Sequence, residues 1–294
     1  MSARAPVIGD PLGPRGRRRA LVASVLSALV LAGLIALVVA RFADRGQLDR
    51  DRWDVLLDPD VLRFLLGGLG HTLELFAVAA AMALPIAVLA ALGRLALSRP
   101  VRWTAGTYVE VFRALPLLLQ ILFLYVFLPE AGIHIDPLWV AAIGLALYNG
   151  AVMGEIVRAG VLSLERGQSE AARAIGLSYW ESMRLVLLPQ AARRMIPAGI
   201  SQMITLLKDT SLAYVVAFEE LLRRGRIAGE YARSPLQALL LVAAMYIAVN
   251  FTLSRIARRL EVRQRRRYGA GPIAVAGAPE DLSALGTVDG RSDS

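Results

Sequence analysis

A chain of 294 residues that is 56% hydrophobic and 19% charged, with a mean hydropathy of +0.53, has more apolar surface than a soluble domain carries, so a lipid environment is expected. Cysteine is absent and the two histidines, His71 and His134, lie far apart, which excludes a disulfide framework and zinc sites of Cys/His type. The net charge of +9 gathers in arginines at 15–19, 94–102 and 255–267, on the flanks of apolar runs; a positive-inside bias accounts for it, and no nucleic-acid partner is expected.

Residues 1–19 form a basic segment assigned to the cytoplasm. The run 20–40 holds no charge, and at about 1.5 Å per residue it crosses a hydrocarbon core of about 30 Å. It is read as the first transmembrane helix, residues 20–41, because a cleavable signal has a shorter apolar core of about 7–15 residues. Further apolar runs at 64–92, 103–128, 137–157, 195–218 and 235–256 bring the expected spans to six. With the N-terminus inside, the connections 94–102 and 158–194 and the stretch after 255 fall on one side, and all are rich in arginine. The opposite side is less regular: 129–136 has neither Lys nor Arg, whereas 219–233 carries Arg223, Arg224, Arg226 and Arg233. Residues 258–268 read as a basic juxtamembrane segment suited to anionic headgroups. The Gly/Ala/Pro/Ser/Asp composition of 269–294 has too little apolar matter for a core, and disorder is expected there.

The polar stretch 170–189, EAARAIGLSYWESMRLVLLP, interrupts this pattern. Ser169 is expected to cap a first short helix, with Glu170 near its positive end and Gly176 as its left-handed terminator. Ser178 and Glu181 have capping-box spacing for a second helix, which Pro189 is expected to stop. Ala171, Ala172, Ala174, Ile175 and Leu177 make a shallow apolar face that fits either a partner's groove or the headgroup layer.

Within the spans, Lys208, Asp209, Thr210 and Ser211 are costly at bilayer depth and are candidates for a substrate path or for interhelical pairing. Asn149 ranks above Glu74 as a buried polar candidate. Glu155 and Arg158, three apart, suit an ion pair, and Gly150 and Gly154 suit close helix packing. Trp103, Trp139, Trp180, Tyr125 and Tyr148 suit an interfacial belt. Lys208 is the single lysine, and its neighbours match no P-loop, nucleophile elbow or H-E-x-x-H; no catalytic residue, metal or cofactor is assigned to this chain.

In the spacing of Glu170, Ala171, Ala172, Gly176, Val186, Leu188 and Pro189 the polar stretch resembles the EAA loop of permease subunits of binding-protein-dependent ABC importers. The segments 145–168 and 201–225 resemble the polar amino-acid branch of that family, and 7–19 and 101–120 resemble actinobacterial glutamate permeases. The resemblance spans roughly 7–267 and departs at Ala114 and Leu115, where many relatives carry Gly-Thr before the proline.

It implies an all-α integral membrane protein of about six transmembrane helices: one N-terminal, then a five-helix permease core over 64–257 with a cytoplasmic EAA-type coupling loop at 161–189. The family's loop docks in a cytoplasmic ATPase, and the residues carried over to that role are Glu170, Ala171, Ala172, Gly176, Leu188 and Pro189. The implied activity is ATP-driven import of glutamate or a related polar amino acid, with Asn149, Lys208, Asp209, Thr210 and Ser211 as the candidate substrate path. The implied partners are ABC ATPase subunits that hydrolyse the ATP, a second permease subunit, identical or homologous, an extracytoplasmic substrate-binding protein and the bilayer. Both termini are placed in the cytoplasm. The competing readings are an ion-coupled secondary transporter, which calls for ionisable relays deep in several spans, and a membrane scaffold, which needs no polar path.

Overall fold

In the computed structural model, which describes residues 13–267, every regular element is helical. The first twelve residues of the basic segment 1–19 and the whole of the tail 269–294 lie outside the described residues. The helices are α1 (Pro14–Asp44), α2 (Asp51–Asp54), α3 (Pro59–Arg94), α4 (Arg99–Ala114), α5 (Leu117–Glu130), α6 (Pro137–Leu162), α7 (Arg166–Ala174), α8 (Tyr179–Glu181), α9 (Leu188–Asp209), α10 (Leu221–Tyr231) and α11 (Pro235–Arg267). A π-helical segment, Ser182–Leu187, joins α8 to α9, and a 3-10 segment, Thr210–Val216, follows α9.

α3 and α6 start in the same way. Asp58 accepts from the Asp60 amide and Asp136 from the Leu138 amide, each just before a proline in the first turn, where its fixed φ and missing N–H do no harm. The two helices form the central pair. Apolar burial drives little here, because lipid tails solvate leucine as well as a protein core does, and association relies on close fit. α3 therefore buries a run of alanines, Ala79, Ala83, Ala87, Ala90 and Ala91, while α6 offers glycines. A Cβ at Gly150 would stand 2.5 Å from Ile86 Cγ2, and one at Gly154 would stand 3.0 Å from the Ala87 carbonyl oxygen. The packing expected of this glycine pair is thus realised against α3. Around it, Leu117 and Ile121 of α5, Leu206 of α9, and Ala213 and Val216 of the 3-10 segment complete the main core.

The spans differ from six uninterrupted helices. Among the described residues four are long and apolar enough to cross a bilayer: Gly16–Asp44, Pro59–Arg94, Pro137–Leu162 and Pro235–Ile256. The expected span 103–128 is α4 and α5, bent by 101° at Leu115–Pro116, and it makes a fifth if the bent pair counts as one. Leu115, preceding proline, is extended at ψ 134°, and the amide of Gln120 donates to the freed Phe112 and Leu115 carbonyls at 2.8 and 3.0 Å. The expected span 195–218 is likewise broken: α9 carries Arg193, Arg194, Lys208 and Asp209 near its ends, and the chain tightens into 3-10 geometry after Asp209.

None of the apolar window of α1 is buried, in contrast to 61% of that of α6. The stretch 219–233, expected as an arginine-bearing connection between spans, contains helix α10, packed on α3 and α11. Residues 258–267 of the juxtamembrane segment continue α11 as helix. Trp103, Trp139, Trp180 and Tyr125 are exposed, as a belt requires, whereas Tyr148 packs against the main core.

Candidate functional site

The polar stretch folds as a hairpin of short helices. α7 begins earlier than expected: Glu165 occupies the cap position, without a side-chain bond, and Ser169 lies inside the helix. At the other end Gly176 has φ 88°. The Leu177 amide donates to the Ala172 carbonyl at 3.2 Å and the Gly176 amide to Arg173 at 3.0 Å, which closes α7 with a Schellman turn. Ser178 then caps α8 in a reciprocal box with Glu181: the Ser178 amide and hydroxyl donate to Glu181 Oε2 at 2.9 and 2.6 Å. The Ser178 hydroxyl, with its amide second, holds the Glu181 carboxyl below the usual carboxylate range. Pro189 does not stop this arm. It sits in the first turn of α9, and the π-helical segment carries the chain straight into that helix.

The hairpin has an anchored arm and a presented arm. Met183, Leu187 and Ala191 pack with Val161 and Leu164 at the end of α6, and Tyr179, flanking the cluster, donates its hydroxyl to the Leu95 carbonyl at 2.6 Å. Burial pushes the Tyr179 phenol up. Gln190 donates to Gln168 at 3.0 Å and Arg194 to the Ser163 carbonyl at 2.7 Å, so α9 braces the connection out of α6. On the presented arm Ala172 is buried, but Glu170, Ala171, Ala174 and Ile175 are exposed, Ile175 by 78%. Gly176 and Pro189 are exposed and Leu188 is half-buried. The six residues assigned to coupling therefore share one hairpin, with Glu170, Ala171 and Gly176 open to a partner.

The candidate path residues do not share one site. Asn149 is fully buried; its amide donates to the Leu145 carbonyl at 3.0 Å and its oxygen accepts from Gln202 at 2.7 Å, with the Asp209 side chain beside it. This makes a polar cluster between α6 and α9 that includes Gln202, a residue the sequence reading did not single out. Lys208 and Ser211 turn elsewhere, into a crevice of about 540 Å3 with Tyr246 and Asn250 of α11. Thr210 is buried and spends its hydroxyl on the Leu207 carbonyl at 2.6 Å. Glu74, named as a buried candidate, is exposed. Glu155 and Arg158 pair through the Arg158 Nε at 2.9 and 3.1 Å, with Arg94 3.8 Å from Glu155.

Glu220, a residue sequence reasoning missed, anchors a second buried network. It caps α10 by accepting from the Leu222 and Arg223 amides, both at 2.7 Å, and from the Tyr246 hydroxyl at 2.9 Å. Thr72 of α3 accepts from the Leu221 amide at 3.0 Å. Arg224 donates to the Phe64 carbonyl at 3.0 Å and to Glu219 at 3.2 Å, and its guanidinium lies 4.8 Å from the Phe64 ring centroid. The available signal was the acid pair Glu219-Glu220 at the start of a helix, where its dipole favours negative charge. The α3 member of this network, Thr72, lies 149 residues from Leu221, beyond any local pattern.

Among known proteins, residues 83–266 match the family of binding-protein-dependent transport system inner membrane components. The chain is 38% identical to the glutamate transport system permease protein of Corynebacterium glutamicum over 239 residues, covering 80% of this chain and 87% of that one. It is 48% identical to a probable glutamine ABC transporter permease protein of Bacillus subtilis over 159 residues, 53% of this chain and 73% of that one. A solved amino acid ABC transporter crystallised with histidines superposes with a TM-score of 0.66 at 30% identity, covering 69% of this chain and 95% of the other.

Proposed function

The chain belongs to the family of inner membrane components of binding-protein-dependent transport systems, and from that premise we propose that it moves glutamate, or a closely related polar amino acid, from an extracytoplasmic binding protein into the cytoplasm. It is a multi-pass protein of the cytoplasmic membrane and the permease subunit of an importer. ATP is hydrolysed by separate ATPase subunits, and a second permease, identical or homologous, completes the pathway. Both termini face the cytoplasm, with α1 and a five-span core that counts α4–α5 as one span and α9 as another.

The observation that carries the coupling role is the presented arm of the hairpin. Glu170 and Ala171 stand exposed on a helix closed by a left-handed glycine, while the other arm is packed onto the ends of α3 and α6. A push on α7 therefore reaches the central helix pair through Met183, Leu187 and Tyr179. Leu188 and Pro189 begin α9, so the same push reaches the helix that holds Gln202 and Asp209 against Asn149. That cluster is the favoured substrate contact; Thr210 follows Asp209 at the same break of the chain, while Lys208 and Ser211 line the separate crevice against α11. A buried amide pair next to a carboxylate suits the ammonium and carboxylate of an amino acid. The substrate rests on the glutamate, glutamine and amino acid transporters named above.

The test is radiolabelled glutamate uptake in cells lacking this chain, complemented with the parental sequence or with Glu170→Arg, with membrane abundance measured for each. Restoration by the parent and not by Glu170→Arg supports both substrate and coupling. Uptake indifferent to the chain removes glutamate, and glutamine, arginine and histidine are then tried in the same cells. Parental uptake by Glu170→Arg sinks the coupling role of α7.

A further inference from the structure

Where α3 ends and α4 begins, a crevice of about 710 Å3 opens, of the size that ligand sites occupy. Its lining includes four arginines, Arg94, Arg99, Arg102 and Arg158, against one carboxylate, Glu110. The transport mechanism above uses none of this surface. The arginines are unequally engaged. Arg158 is held by Glu155, and Arg94 stands between Glu110 at 3.6 Å and Glu155 at 3.8 Å. Arg102 donates one Nη1 bond to the Ala96 carbonyl at 3.0 Å, which fixes its guanidinium across the α3–α4 turn with other donors left over. Arg99 has no ion-pair partner among the described residues. Trp103, on the rim, is 76% exposed. Two guanidiniums with spare donors, set between a fixed pair of arginines and an exposed indole, match a phosphate group attached to an apolar body. The guanidinium fork binds phosphate oxygens in pairs, and indole favours the headgroup depth of a bilayer.

We propose that this crevice is a phosphate-anion site, gripped by Arg99 and Arg102 and completed by Arg94, whose natural ligand is a phospholipid headgroup or free phosphate. A bound phosphate competes with Glu110 and Glu155 for Arg94, so occupancy bears on how tightly the ends of α3, α4 and α6 are tied. The cytoplasmic position of the crevice rests on the orientation proposed above; the binding chemistry does not.

The test uses the purified full-length chain in phosphatidylcholine nanodiscs with and without phosphatidylglycerol. Native mass spectrometry reads retained lipid, and thermal unfolding reads stabilisation. Three variants are compared with the parent: Arg99→Gln with Arg102→Gln, Arg99→Lys with Arg102→Lys, and, away from the crevice, Arg45→Gln with Arg50→Gln. The expected result is a loss of phosphatidylglycerol retention of about tenfold in the first, a smaller loss in the second, which keeps charge but not the fork, and parental retention in the third. Inorganic phosphate titrated into phosphatidylcholine nanodiscs separates the sources: stabilisation equal to that from phosphatidylglycerol assigns free phosphate, and none assigns the lipid. Equal losses in the first and third variants, or no loss in the first, overturn the site. Because the readout is binding, the outcome is independent of whether glutamate is the transported substrate.

Discussion

Gly176 turns the hairpin at φ 88°, a conformation that glycine adopts freely and an L side chain at a cost of about 1–2 kcal/mol. A Cβ there would meet nothing within 4 Å, so the constraint is the backbone angle and not local space. Gly176→Asp is therefore expected to leave the chain inserted at parental abundance while uptake falls roughly 5- to 150-fold, the span of typical coupling energies; uptake at the parental rate, by radiolabel with abundance checked by immunoblot, refutes it. Further along the hairpin, Glu181 titrates below the ordinary carboxylate range because Ser178 bonds its ionised form. Its contribution to the loop is thus present at neutral pH and is lost as pH falls through that depressed value. Ser178→Ala should move the Glu181 titration up towards the ordinary value and bring the loosening to higher pH, which the pH dependence of the Glu181 carboxyl carbon resonance reads directly. The capping box and the terminating glycine were legible because both are local, set by residues within three positions. Ser169 misled because any small polar residue near a helix start matches a cap, and only the hydrogen bonds reveal where the first turn begins.

At the scale of elements, α3 and α6 announced themselves by hydropathy; the glycine spacing marked a close-packing face on α6, and the structure supplied α3 as its partner. Gly150→Leu drives a side chain into Ile86, and the cost of overpacking, about 1–3 kcal/mol, should appear as a lower thermal midpoint of the detergent-solubilised chain. Adding Ile86→Ala should recover part of it; no recovery would mean that the strain lies elsewhere. The bend between α4 and α5 was the harder case. Its cause, a residue forced out of helical geometry by Pro116, was written in the sequence, yet the unbroken apolar run read as one straight helix. What decided the matter was Gln120, which reaches back to two carbonyls that a straight helix would have satisfied itself. The break after Asp209 was masked in the same way by the apolar residues on both sides of it.

At the scale of the molecule, the four cores of packed side chains among the described residues all lie within residues 56–246, and α1 contributes to none of them. The solved amino acid ABC transporter chain matches only 69% of this one while 95% of its own length is covered, so the shared fold is built without a counterpart for the remainder. Removal of residues 1–44 should leave the thermal midpoint of the solubilised core within about 2 °C, less than the shift that 1 kcal/mol produces in a chain of this size; a larger fall would assign α1 a packing role. The arginines of α10 also make sense only at this scale. Arg224 is bound to the Phe64 carbonyl and to Glu219, so its charge is met inside the protein and says little about which side of the membrane it faces, whereas Arg226 lies over the Tyr214 ring and is exposed.

By itself the sequence determined that the chain is helical and membrane-bound, where its long apolar helices run, and that a polar hairpin with a left-handed glycine interrupts them. Hydropathy, proline and capping act over a few residues, so one-dimensional pattern carries them. The tertiary structure alone decided that Asn149 meets Gln202 and Asp209 while Lys208 turns away, that Glu220 ties α10 to α11 while Thr72 holds α10 to α3, and that two of the apolar runs are broken. Those outcomes depend on which buried polar group finds a partner on another helix, and in a bilayer interior an unpaired group is costly enough to redirect the chain.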